Sequence, residues 1–146
     1  MNYIWVTPES GENKNYSNQA IAGFLENHLD QFGDKQEDIL KAIQYALNPA
    51  KGGMVLLCEE NQSLIGAVVI NQTGMDGYIP SNILVYIAIH RDHRGKGIGK
   101  KLMQEVMPRA KGGIALHVEP DNPAKFLYEK LGFTNKYLEM RYLPTN

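Results

Sequence analysis

Three glycines at alternate positions, Gly95, Gly97 and Gly99, stand among Arg94, Lys96, Lys100 and Lys101, directly after the apolar run NILVYIAI (82–89). Residues of these types in this order can seat an anion. Glycine leaves backbone N–H groups uncovered and permits φ values that other residues avoid. The first amides of a following helix have no internal partner, and the helix dipole adds a positive end worth about 0.3–1 kcal/mol to a nearby anion. Phosphate groups fit such a place, and Arg94, Lys96 and Lys100 add charge around it.

Spacing separates this reading from its rivals. A P-loop needs G-x-x-x-x-G-K-[ST], and no glycine here stands five residues before a Gly-Lys-Ser/Thr. A dinucleotide fingerprint needs G-x-G-x-x-G; counted from Gly95, its third glycine falls on Lys100. A nucleic-acid patch is disfavoured by Asp92 within the cluster, by the lack of interleaved aromatics, and by a formal net charge of −1. His90 and His93 are two candidate zinc ligands with no cysteine beside them, so no metal is expected. Cys58, the sole cysteine, lies in an apolar run and reads as a small core residue.

The elements that must position these residues follow from periodicity. NYIWVT (2–7) reads as a strand, and Ser17 to about Phe32 as a helix stopped by Gly33. Asp34 with Glu37 three residues later has the pattern of a capping box, opening a helix that ends before Asn48-Pro49. MVLLCE (54–59) and LIGAVVIN (64–71), joined at Asn61-Gln62, read as a hairpin, and 72–82 as a loop. ILVYIAI (83–89) is apolar almost throughout, as a strand covered on both faces would be. A helix follows the glycines and weakens at Pro108; GIALHV (113–118) is a further strand. NPAKFLYEKLGF (122–133) reads as a helix capped by Asn122 and stopped by Gly132, and TNKYLEMRYL (134–143) alternates as a closing strand or hairpin.

Together, HRDHRGKGIGKKLM (90–103) resembles the pyrophosphate-binding motif of the GNAT acetyltransferase superfamily, Q/R-x-x-G-x-G/A, with Arg94, Gly97 and Gly99 at its fixed positions. LHVEPDNPAKFLYEKLGF (116–133) is similar to that family's second signature, a strand, an asparagine and a helix carrying Y-E-K-L-G-F. The resemblance covers roughly 53–143 and implies an α/β (α+β) fold. That fold is a mixed, largely antiparallel central sheet of six or seven strands, with about four helices on both faces. The sheet would be splayed between the strands near 83–89 and 113–118.

The resemblance also implies acetyl-CoA as co-substrate. Its pyrophosphate would sit around Arg94, Gly95, Lys96, Gly97, Ile98, Gly99 and Lys100. Its extended amide arm would pair with the backbone of the preceding strand at Ile87, Ala88 and Ile89, which a bulge exposes, and Asn122 would add a hydrogen bond. A backbone N–H near Ala88 or Ile89 would steady the oxyanion, and Tyr128 matches the tyrosine that donates to the departing thiolate. Many family members place a glutamate on the central strand as base, yet no acid occurs between Ile83 and Ile89. Tyr86 and His117 are the nearest substitutes, with Glu119 and Asp76 as further options.

The expected function is therefore N-acetyl transfer to a primary amine, a small molecule being favoured. A protein or peptide acceptor and a non-catalytic acyl-CoA-binding module are the alternatives. At 146 residues, 43% of them hydrophobic, the chain is expected to form one domain over 1–146, as a monomer or homodimer. No apolar stretch nears the roughly 20 residues of a membrane span, and MNYIWVTPES lacks the pattern of a signal peptide. A cytoplasmic location is expected, without nucleic-acid or membrane partners.

Overall fold

The computed structural model describes residues 1–145, which form two compact units, 1–116 and 117–145. In the first unit, five strands lie in sequence order across one sheet: β1 (Asn2–Val6), β2 (Gly53–Glu60), β3 (Ser63–Gln72), β4 (Asn82–Ile89) and β5 (Ile114–Leu116). The β1–β2, β2–β3 and β3–β4 pairs are antiparallel, and β4–β5 is parallel. The mixed sheet of the expected class is thus present with five strands rather than six or seven. The difference lies at the end of the chain. Residues 134–143 alternate in sequence but form no strand, and Tyr137, Leu138, Met140 and Tyr142 are exposed. Alternation suits a strand; only a hydrogen-bonded neighbour makes one.

Residues Asn61 and Gln62 both take left-handed φ, 52° and 63°, and close the β2–β3 hairpin with the twist that antiparallel strands favour. Two helices, α1 (Asn18–His28) and α2 (Gln36–Leu47), cover one face of the sheet. Ile21, Leu25, Ile39 and Ile43 pack there on Val55, Leu57, Ala67, Val69 and Ala88, all buried. α3 (Ile98–Arg109) covers the other face, where Leu102 closes over Gly66 so tightly that a Cβ on that glycine would lie 2.9 Å from the leucine methyl.

The helix starts differ in how they are satisfied. The Ser17 hydroxyl accepts from the Ala20 N–H at 3.1 Å, an ordinary cap. α1 ends at His28, four residues short of Phe32, and the chain turns through Asp30–Phe32 as a single 3-10 turn. The capping box expected at Asp34 does not form. Lys35 occupies the cap position without a side-chain bond, and the first amide of α2, at Gln36, donates instead to Glu26 of α1 at 3.0 Å.

In the second unit, α4 (Ala124–Lys130) is held at its start by Asn122, whose Oδ1 accepts from the Ala124 N–H at 2.9 Å. Gly132, at φ +99°, ends it as sequence suggested. Among the described residues no helix is long and apolar enough to cross a membrane.

Candidate active site

The site is built on the two halves of β4. At Asn82–Leu84 the strand pairs with β3 on one side and β5 on the other. The buried Asn82 amide ties this end shut, donating to the carbonyls of Lys111 and Gly113 at 3.0 and 3.2 Å. Val85 then interrupts the β3–β4 register: Ile70 faces Leu84 but Val69 faces Tyr86. One extra residue reverses the hydrogen-bond alternation. The His90 N–H donates to the Ile65 carbonyl at 2.8 Å, so the bonded pairs with β3 fall at His90, Ala88 and Tyr86. The amides of Ile87 and Ile89 are turned away from β3. β5 stops at Leu116, opposite Leu84, so no strand of this unit pairs with them. The splay and the free edge expected between these strands are both present. The alternation places Ala88, one of the expected contacts, inside the β3 ladder and leaves Ile89 as the free amide.

Beyond β4, the chain makes a short turn at Arg91–His93 and reaches the glycines. Gly95 and Gly97 both sit at φ +78°, in the left-handed region that favours glycine. A Cβ on either would meet nothing within 4 Å, so the backbone here faces open space. Gly97 caps α3 with no side-chain bond, leaving the amides of Ile98, Gly99 and Lys100 without helix partners, while Lys96 and Lys100 are exposed beside them. An uncapped helix end, an uncovered left-handed backbone and two free ammonium groups fit a pyrophosphate.

Arg94 is turned elsewhere. Its guanidinium donates to Asp30 at 3.0 Å, to the His28 carbonyl at 2.7 Å and to the Ile89 carbonyl at 3.2 Å. Arg91 donates to the same carboxylate at 3.3 Å and to the Asn27 carbonyl. Two cations thus close the last carbonyls of α1, the favourable end of its dipole. Their guanidiniums hold the Asp30 carboxyl below its ordinary range. Behind them the buried His28 ring lies 4.2 Å from the His90 ring and 4.7 Å from Phe24. Burial, with the neighbouring charges of His90, Arg91 and Arg94, lowers its pKa.

Tyr86, the first residue past the bulge, packs its ring against the α1–α2 face, and its hydroxyl donates to Asp34 Oδ2 at 2.5 Å. Burial, reinforced by the Asp34 carboxylate, pushes the phenol's pKa well up, so it keeps its proton at neutral pH. Asp34, read from sequence as a helix cap, thus bonds a side chain of β4, a strand with no acid of its own. Nothing local signals this, because its partner lies 52 residues away.

The remaining candidates are divided between the two units. In the second unit, His117 falls just past the end of β5, exposed, with Nδ1 3.7 Å from Glu139. Glu119 is exposed there as well, and Asp76 is exposed in the β3–β4 loop of the first unit. Tyr128 is buried beside Phe133, ring centroids 5.8 Å apart, and burial pushes its pKa up to about 12. A cavity of about 520 Å³, lined by Trp5, Gly53, Gln72 and Arg109 among others, opens at the far end of α3 from the glycines. Its Arg109 guanidinium stacks on Trp5 at 3.9 Å from the ring centroid.

Comparison with known proteins agrees with this geometry. Over 88 residues the chain is 36% identical to N-alpha-acetyltransferase 30 of Schizosaccharomyces pombe, covering 57% of this chain and 59% of that protein. Over 89 residues it is 34% identical to the [ribosomal protein bS18]-alanine N-acetyltransferase of Haemophilus influenzae, covering 58% of each. The match thus spans less than two thirds of either relative. An aminoglycoside antibiotic 6′-N-acetyltransferase from Acinetobacter haemolyticus shares the fold at TM-score 0.68 and 17% identity, with 100% of this chain and 99% of that one covered. The model of the acetyltransferase (GNAT) domain matches residues 51–135, from the start of β2 past α4, and the chain belongs to that family.

Proposed function

We propose that the protein is an N-acetyltransferase that uses acetyl-CoA to acetylate a primary amine. One observation carries the reading: the free edge of β4 at Ile87 and Ile89 leads directly into the uncovered, glycine-headed start of α3. An extended amide chain ending in a pyrophosphate needs both, and an edge strand beside an anion seat supplies both. When bound, acetyl-CoA supplies an acetyl group activated as a thioester.

The chain's own groups do the rest. Gly95–Lys100 hold the pyrophosphate, mostly by backbone. The Ile87 and Ile89 backbone pairs with the arm, and the Ile89 amide faces the side where an oxyanion would need a donor. Tyr128, which keeps its proton at neutral pH, donates to the departing sulfur. Asn122 caps α4 through its oxygen and keeps its NH2 for a second bond.

The acceptor class with most support is an α-amino group on a protein or peptide, because the two relatives described above are named as an N-alpha-acetyltransferase and a ribosomal-protein-alanine N-acetyltransferase. The small-molecule amine favoured from sequence is the second arm of the test. Calorimetric titration with acetyl-CoA, followed by thiol release over an alanine-initiated peptide, a polyamine and an aminoglycoside, checks the reading. No heat of binding at millimolar acetyl-CoA would overturn it. Binding without thiol release would leave an acyl-CoA-binding module in its place.

A further inference from the structure

β4 has a free edge and no acid, and an attacking amine must lose a proton. We propose that Asp34 and Tyr86 remove it as a pair, Tyr86 taking the proton from the amine and passing its own phenol proton to Asp34. The inference rests on the acetyltransferase reading above and deepens it.

Three observations carry it. First, position: an arm anchored at the start of α3 would run back past the outward amides of Ile89 and Ile87, and the next residue along that edge is Tyr86. At about 3.3 Å per residue, Tyr86 Cα lies roughly 10 Å from that of Ile89, so the pair stands at the end of the edge away from the pyrophosphate. Second, connectivity: Tyr86 Oη already donates to Asp34 Oδ2 at 2.5 Å, which leaves the oxygen's lone pairs to accept an N–H from outside. Third, an exit: Asp34 is exposed at the start of α2, so a proton received there passes on to water.

The step balances. The amine nitrogen forms its bond to the acetyl carbon as the carbon–sulfur bond breaks and the electron pair leaves with sulfur. The nitrogen's proton goes to Tyr86 Oη while the phenol proton goes to Asp34 Oδ2, so no phenolate need form. A lone phenol with a raised pKa could not act as a base; the carboxylate makes the exchange neutral at oxygen. Asp38 is the further acid whose charge reaches the phenol. In this arrangement Tyr86 is catalytic and Asp34 acts through it.

A purely structural tie between the α1–α2 connection and β4 would place the same atoms together, and Asp34→Asn separates the two roles. The asparagine oxygen still accepts the tyrosine hydroxyl, so the tie survives, but it cannot take the proton. The wild type, D34N, D34E, Y86F and D34N/Y86F are compared by acetyl-CoA calorimetry, and by kcat on whichever of the three acceptors the wild type turns over fastest. The expected result for D34N and Y86F is a loss of about 100-fold or more in kcat, the scale of a general base. Acetyl-CoA affinity should stay within about twofold, the double variant should be no worse than either single one, and D34E should recover at least about tenfold over D34N, as groups acting as a unit require. D34N with kcat within about threefold of wild type, or losses that multiply in the double variant, would overturn the relay. D34N that no longer binds acetyl-CoA would also overturn it, in favour of a structural role. Failure of the wild type to bind acetyl-CoA, or to turn over any acceptor, sinks the acetyltransferase reading instead.

Discussion

The two halves of β4 differ by one inserted residue and behave as different structures. Asn82–Leu84 is paired on both sides and pinned by a buried amide; Tyr86–Ile89 is paired on one side and presents two amides outward. The first half closes the sheet, and the second leaves an edge that, on the proposed function, serves recognition. Val85 does not contribute by its side chain alone: its presence as an extra residue decides which amides face outward. A site can therefore be made by shifting register, with no unusual residue type.

The contrast can be broken from either side. The largest expected effect is on the recognition half. Gly97→Val should weaken acetyl-CoA binding by about 100-fold or more, since it adds a β-branched side chain to the open backbone and forces it into left-handed φ at a cost of about 1–2 kcal/mol. Because nothing within 4 Å meets the new Cβ, the melting temperature should fall only by the few degrees that this backbone strain costs. Calorimetry and a melting curve read the two separately; equal affinity would remove Gly97 from the seat. Next is Tyr128→Phe, which should lower kcat by about tenfold to 100-fold while leaving acetyl-CoA affinity within about twofold. Unchanged turnover would reduce Tyr128 to packing beside Phe133.

On the stable half, Asn82→Leu gives the mirror result. It removes two bonds to the carbonyls of Lys111 and Gly113 at the paired end of β4, at about 1–3 kcal/mol of folding stability. Denaturant unfolding checks it; a loss of acetyl-CoA affinity larger than the loss of stability would merge the two halves. The smallest effect joins the halves to pH. His28 has a lowered pKa in the fold, so between that value and the ordinary histidine pKa the unfolded chain binds more protons. Stability should therefore be full above the ordinary histidine range and decline as pH falls through that window. His28→Asn should flatten the slope in a melting-temperature series from neutral to mildly acidic pH, and an unchanged slope would assign the protons to another group.

How much of this was legible in the sequence depended on what each feature answers to. The left-handed turn at Gly95 and Gly97 was legible because such a backbone calls for particular residue types at fixed spacing. Asn122 and Gly132 were legible because caps are local. The bulge was not: nothing in ILVYIAI marks Val85, since the extra residue is defined only against β3. Asp34 was misread for a related reason. An acid followed three residues later by glutamate satisfies a local rule, and only the tertiary fold brings Tyr86 close enough to claim its oxygen. The closing segment 134–143 erred the other way, its alternation being real and its partner missing among the described residues.

Asp30 adopts left-handed φ, +56°, without being a glycine or lying in a hairpin, and its carboxylate grips both Arg91 and Arg94. The grip fastens the end of α1 to the chain that leads into the glycines. Helix end and glycine turn are thereby one mechanical unit, so a change that loosens either is transmitted to the other.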